Sequence, residues 1–158
     1  MDKKKTRREK LADSKDLPKI EEVTETMSQK WGTGKFVIPA PLEVDEIMRK
    51  VPFGKLTTIN QIRNALAKKH HVNFTCPITS GIFAWTAAHA AEEDAVEGRK
   101  DITPYWCTLK STGELNEKYP GGIEAQIKHL EEERHIIVSS RGKKAPTVKD
   151  FEMKLAQL

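Results

Sequence analysis

Apolar positions in this chain recur mostly at helical spacing. Val44, Ile47, Met48 and Val51 fall at i, i+3, i+4 and i+7, which predicts a helix from Pro41 with one buried stripe, ended by Pro52 and Gly54. Ile59, Ile62 and Leu66 mark a second helix. Thr58 and Gln61 fit a capping box at its start, and it runs to His70-His71. A third helix is predicted from Pro77 to about Ala91, with proline in the first turn where its missing amide is harmless. Ile78, Ile82 and Trp85 form its apolar stripe. The opposite face is small: Thr79, Ala84, Ala87, Ala88 and Ala91. Such a face admits either a DNA groove or a neighbouring helix, and on the helix alone the neighbouring helix is favoured. Ile123, Ile127 and Leu130 give a fourth helix that stops near His135. Thr147 with Asp150 begins a last helix carrying Val148, Phe151, Leu155 and Leu158.

Period-two signals are few. Phe36-Val37-Ile38, between the breakers Gly32-Thr33-Gly34 and Pro39-Ala40-Pro41, is either a short strand or an apolar strap. Thr103 to Leu109 is rich in β-formers, and Ile136-Ile137-Val138 is expected to pair with Trp106–Leu109 as a small wing. Ser111-Thr112-Gly113 and Tyr119-Pro120-Gly121-Gly122 are turn sequences. The predicted fold is mainly α with a small β component, a winged helix-turn-helix-like domain. Residues 1–40 are expected to form a basic, largely disordered tail and strap, because residues 1–30 are charged and show no sustained apolar period. Residues 41–158 are expected to form the folded domain with its C-terminal helix. No internal repeat is visible.

Composition narrows the class. With 37% hydrophobic and 32% charged residues in 158, the chain reads as a soluble domain with a small core. No apolar run reaches the ~20 residues a membrane span needs. The charged start lacks the apolar stretch of a secretory signal. Cys76 and Cys107 have no metal spacing, nor do the five histidines supply one, so neither metal nor cofactor is expected. A reduced, cytoplasmic setting and a monomer follow as the simplest expectation. The net charge of +4 is concentrated near the ends, at Lys3, Lys4, Lys5, Arg7, Arg8 and Lys10 and at Arg141, Lys143, Lys144 and Lys149. Basic arms of this kind attract phosphate backbones without reading sequence, although a solvated tail with no partner has the same composition.

The stretches VPFGKLTTINQI (51–62) and STGELNEKYPGGIEAQIKHLEEERH (111–135) together resemble the DNA-binding domain of the alkylguanine-DNA alkyltransferases and alkyltransferase-like proteins. The Gly54-Lys55 turn paired with Tyr119-Pro120-Gly121-Gly122-Ile123 carries the resemblance, which spans roughly 42–138. It implies a helix-turn-helix that holds duplex DNA, with the helix from Pro77 in the minor groove. The implied DNA-binding positions are Lys55, Thr58, Lys68, Lys69, Thr79, Ser80, Ala84, Ala87 and Ala88.

The family's chemistry rests on a Pro-Cys-His-Arg element whose cysteine takes the alkyl group. Here that stretch reads Pro104-Tyr105-Trp106-Cys107. A phenol with a pKa of about 10 is a poor alkyl acceptor, and an indole offers no base. The family's phosphate-rotating tyrosine is Ile59 here. The arginine that fills the vacated base stack corresponds to about Ser80, and no arginine occurs between Arg63 and Arg99. The sequence therefore predicts a DNA-binding protein on this scaffold without alkyl transfer, with links to damage recognition or repair. Two alternatives stay open: a cysteine-dependent alkyltransferase using Cys107, and a protein-interaction module. An inert, half-buried cysteine is the simpler reading of both thiols. Trp85 and Trp106 are expected in the core.

Overall fold

The computed structural model describes residues 6–139, 142 and 144–158. Among them are six α-helices and seven short strands, so the domain is mainly helical with small sheets, as the apolar spacing predicts. The helices are α1 (Arg7–Ala12), α2 (Glu25–Trp31), α3 (Pro41–Arg49), α4 (Ile59–Lys69), α5 (Pro77–Val96) and α6 (Gly122–Glu132). The strands are β1 (Lys19–Glu22), β2 (Lys35–Ile38), β3 (Thr57–Thr58), β4 (Phe74–Thr75), β5 (Thr108–Leu109), β6 (Ile137–Val138) and β7 (Thr147–Val148). No helix among the described residues is long and apolar enough to cross a membrane.

Helix α3 starts where Ala40 donates its backbone N–H to Glu43 at 3.0 Å. Helix α4 is capped as expected by Thr58, whose hydroxyl accepts from the Gln61 amide at 3.1 Å. The reciprocal half of the box does not form. The Gln61 side chain is held instead by the Thr57 hydroxyl and the Ala156 carbonyl. Helix α6 starts at Gly121, whose φ of +77° is a left-handed conformation that glycine adopts freely.

One core gathers α3, α4 and α5 through Val44, Met48, Ile62 and Leu66 against Ala84, Ala87, Ala88 and Ala91. A second lies under the C-terminal part, from Leu56, Cys107, Leu109, Leu115, Leu130, Val148 and Ala156. Burying each of the larger of these side chains stabilises the fold by roughly 1.5–3 kcal/mol.

Three expectations are corrected. The first concerns the N-terminal part. Residues 6–40 carry ordered elements where a largely disordered tail is predicted. Thr6 caps α1, and Glu93 accepts the N–H groups of Arg7 and Arg8 at 2.9 and 3.0 Å. Leu11 enters the first core. Strand β1 pairs antiparallel with β2, which pairs in parallel with β4. Trp31 meets Phe36 and Phe74 edge-on, closing that sheet with an aromatic cluster. A six-residue helix is too short to display a period, and its stabilising partner lies more than 80 residues away in sequence. Lys3, Lys4, Lys5, Arg141 and Lys143 lie outside the described residues.

The second correction is the wing. Strand β6 pairs antiparallel with β7, not with Trp106–Leu109. Thr108–Leu109 pairs in parallel with Thr57–Thr58 instead. The third is the last helix, which is replaced by β7 and a 3-10 turn at Phe151–Lys154. Leu56 donates to the Lys154 carbonyl at 2.9 Å, and Ala156 donates to the Leu56 carbonyl at 2.7 Å. A short amphipathic helix gains little on its own, so backbone pairing with existing elements prevails.

Buried titratable groups give the fold a predictable acid response. His135 is buried and neither ring nitrogen has a hydrogen-bond partner among the described residues. Burial lowers its pKa below the ordinary 6.5, and Lys154 adds to this while Glu133 opposes it. For Glu43, burial alone would raise the pKa. Hydrogen bonds from Lys69, the Ala40 amide and His70 outweigh it and hold the carboxyl below 4.5. The depressed His135 contributes stability fully above pH 6.5, and this is lost as pH falls toward its folded value. The Glu43 contribution is full above pH 4.5 and is lost below it. The urea midpoint is therefore expected to fall in two steps between pH 7.5 and 3.5, the first beginning near 6.5. A flat midpoint from pH 7.5 to 5.5 would contradict the His135 assignment.

Candidate nucleic-acid interface

Helix α5 decides which surface is available. Its orientation reverses the one the resemblance implies, with the small face in a groove, and agrees with the helix-alone expectation that this face meets neighbouring helices. The small face points inward: Ser80, Ala87 and Ala88 are 0% exposed and Ala84 is 2% exposed. These four residues pack in the core and cannot touch a ligand. Ser80 satisfies its hydroxyl internally, donating to the Cys76 carbonyl at 2.7 Å. The Thr79 hydroxyl is buried as well. The large apolar residues point out, with Ile78 61% and Ile82 52% exposed. Closely packed helices explain the reversal, because alanine lets α1 and α3 approach the α5 backbone where isoleucine would hold them away. Trp85 is half-buried beside Ile82 and meets His89 at a tilt, with the Arg7 guanidinium 4.3 Å above its ring.

The outward face of α5 forms one wall of a groove. Ile78, Gly81, Ile82 and Trp85 face Lys110, Asn116, Glu117 and Lys118 across it. Lys110 bonds to Glu117 at 3.2 Å, and Lys118 has no ion pair among the described residues. On the other flank of Ile82, residues of the N-terminal segment, Lys10, Asp13, Lys15 and Leu17, line a second groove.

The remaining predicted contact residues are not gathered on this face. Lys55 is exposed on the turn before β3. Thr58 is buried and occupied as the α4 cap. Lys68 lines a different groove with Gln61, Asn64 and the C-terminal residues. Lys69 is tied to Glu43 at 2.7 Å. The sequence does not show Ile78 and Ile82 as surface, nor does it single out Lys110, Lys118 and Lys15 beside them; it marks Lys10 only as part of the basic arm. One signal could have found the helix face. Positions 80, 84, 87, 88, 91 and 94 extend the small stripe further along α5 than the isoleucine stripe runs, and the longer stripe is the buried one.

In the stretch 105–107, Tyr105 and Cys107 are closed to solvent and Trp106 between them is half-buried. Tyr105 is 1% exposed, and burial, aided by Glu92, pushes its pKa up to about 12. Its ring meets Trp106, Tyr119 and His129 edge-on. Trp106 stacks on His129 at 4.0 Å and donates its indole N–H to Glu133. Cys107 is also 1% exposed, and its thiol approaches Glu133 at 3.4 Å. Burial pushes this thiol far above its ordinary value, and the Glu133 charge and hydrogen bond push the same way. A thiolate nucleophile needs the opposite surroundings. Cys76 is free and buried at the start of α5.

No family model matches the sequence, and no curated protein matches it. The fold, however, has solved neighbours. The chain is similar to the Atl1 protein of S. pombe, crystallised with damaged DNA containing O6-carboxymethylguanine. It is also similar to the S. pombe ATL structure in complex with DNA. In both cases the TM-score is 0.53, the identity 17%, and the match covers 75% of this chain and 94% of the other. At this identity the likeness is one of fold, and it agrees with the alkyltransferase-like resemblance of residues 42–138.

The fold therefore holds Tyr105 in the core and turns an apolar ridge, edged by lysines, toward solvent. The groove between α5 and residues 110–118 is lined by apolar side chains, two lysines, Asn116 and Glu117, the last engaged with Lys110.

Proposed function

We propose that this chain is a duplex-DNA-binding protein of alkyltransferase-like fold, without alkyl-transfer activity, whose binding face is the outward side of α5. The observation that carries the reading is at residues 105–107. A buried phenol and a buried, high-pKa thiol stand on a fold shared with proteins crystallised on DNA. An acceptor that neither meets solvent nor ionises cannot take an alkyl group, which leaves binding as the activity the scaffold retains. The ligand in the Atl1 structure makes an O6-alkylated guanine the first lesion to test here, with damage recognition as the expected role.

Two measurements on one sample test the proposal. Duplexes with and without O6-methylguanine are titrated at several salt concentrations, and the protein is then weighed by mass spectrometry. Affinity is expected to fall steeply with salt, as phosphate binding requires, and the protein mass is expected to stay unchanged. A stable gain of one methyl group on Cys107 or Cys76 would make the chain an alkyltransferase after all. Absence of salt-dependent duplex binding would favour a protein-interaction module.

A further inference from the structure

Ile78 and Ile82 stand one helical turn apart on α5, each more than half exposed. Isolated exposed apolar residues need no explanation. These two are continuous with Trp85 and are flanked by lysines on both sides. Between them Gly81 leaves the helix backbone bare, since an added Cβ there would meet nothing within 4 Å. On one flank Lys110 and Lys118 share a groove with the ridge, and on the other Lys10 and Lys15 share a groove with Ile82. Each groove holds two lysines against one carboxylate, Glu117 in the first and Asp13 in the second.

The second row is fixed in place. Segment 6–17 is fastened to α5 by Glu93 at the start of α1 and by Arg7 over Trp85. Arg8 adds bonds to Glu97 at 2.7 Å and Asp94 at 3.2 Å, and Leu11 is in the core. Lys10 and Lys15 are thus held at a set place beside the ridge.

We propose that segment 6–17 is the second wall of the nucleic-acid surface. Lys110 and Lys118 hold the phosphates of one strand, Lys10 and Lys15 hold those of the other, and the Ile78–Ile82 ridge enters between them as an apolar wedge. This rests on the duplex-DNA reading above. Two basic rows either side of a ridge match the two backbones that border a groove. Isoleucine cannot read base edges by hydrogen bonds, but apolar side chains enter the minor groove and part base steps there. Recognition by the wedge follows how easily a step unstacks.

The test uses the full chain and a duplex carrying 2-aminopurine at a central step, titrated over a salt series. Thermal unfolding verifies that each variant is folded. K10A/K15A and K110A/K118A are each expected to lower the salt slope by about two, one for each lost phosphate contact. I78A/I82A is expected to keep the slope and lose the rise in 2-aminopurine fluorescence that the unaltered protein produces. If K110A/K118A lowers the slope and K10A/K15A does not, segment 6–17 is not a wall, though the DNA reading stands. If the unaltered protein binds without any fluorescence rise, the wedge is wrong and the DNA reading again stands. If it shows no salt-dependent binding, both fail, and the ridge is a protein-docking surface.

Discussion

Replacing Glu133 by alanine is expected to lower the unfolding free energy by about 2 kcal/mol, the loss of the acceptor for two part-buried N–H donors and a buried thiol, at the low end of about 1–3 kcal/mol each. Glu133 follows α6 and is 7% exposed. Its carboxylate accepts from the Gly54 amide at 2.7 Å, the Trp106 indole and the Cys107 thiol. These donors come from the turn before β3 and from the 3-10 turn Tyr105–Cys107, so a single side chain ties three parts of the domain together. Alanine would leave the part-buried Gly54 and Trp106 N–H groups without their protein acceptor. Glutamine keeps one acceptor oxygen and is expected to lose about half as much. Urea titration with an unchanged slope would measure both. A loss below about 1 kcal/mol for alanine would mean that water replaces the carboxylate. The same variant separates two effects on Cys107. Burial is the largest cause of its raised pKa and the Glu133 charge comes second. The thiol should therefore remain slow toward a thiol reagent in folded E133A. Rapid modification would show that the carboxylate, not burial, silences it.

The sequence was informative where an element is amphipathic and long enough to display a period. Helices α3, α4 and α6 lie where Val44–Met48, Ile59–Leu66 and Ile123–Leu130 place them. Strand β2 also lies at Phe36–Ile38. Periodicity failed where pairing partners are remote. The polar strand β1 exists because β2 offers it an edge, and nothing in Lys19-Ile20-Glu21-Glu22 announces that. Val148, Phe151 and Leu155 have spacing that suits a helix. Leu155 instead bridges Leu56, a contact across almost 100 residues that no local pattern encodes.

At the candidate interface the difficulty was different. Helix α5 has two faces that could each be buried, one large and apolar, the other small. Hydrophobicity ranks isoleucine above alanine, yet the number of neighbouring backbones that must come close selects alanine. Helices α1 and α3 both pack on α5, so Ala84, Ala87 and Ala88 go inward and Ile78 and Ile82 are left outside. Half of this depends on α1, the element hidden from sequence reading. At 105–107 the sequence offers only a residue-by-residue comparison of Tyr105, Trp106 and Cys107 with the reactive motif that the resemblance implies. What they do in the fold is not legible there. Their joint connection through Glu133 and His129 appears only when α6 is laid beside the 3-10 turn.

Installing a cysteine at residue 105, which the resemblance aligns with the alkyltransferase nucleophile, is expected to fail twice. Tyr105→Cys removes a ring that is 1% exposed and contacts Trp106, Tyr119 and His129. By analogy with large-to-small core substitutions, stability should drop by about 3 kcal/mol, the lost burial adding to a cavity. The new thiol would also lack what activates one. Burial, which raises the Tyr105 pKa, would raise that of a thiol in its place. Trp106 supplies no base. The nearest imidazole, His129, has its ring centre 6.0 Å from that of Tyr105 and is stacked on Trp106, out of line with a side chain shorter than tyrosine. Folded Y105C incubated with O6-methylguanine duplex should keep its mass, while its urea midpoint falls well below that of the unaltered protein. Y105C/W106H is the informative comparison, since it restores an imidazole next to the thiol and places it where the indole now meets Glu133. If the single variant gains a methyl group, the pocket around residue 105 opens to a flipped base, and the lack of transfer proposed for this chain lies in the identity of one side chain. If only the double variant does, the missing base is the barrier. If neither does, access to the buried residue 105 is what the fold has closed.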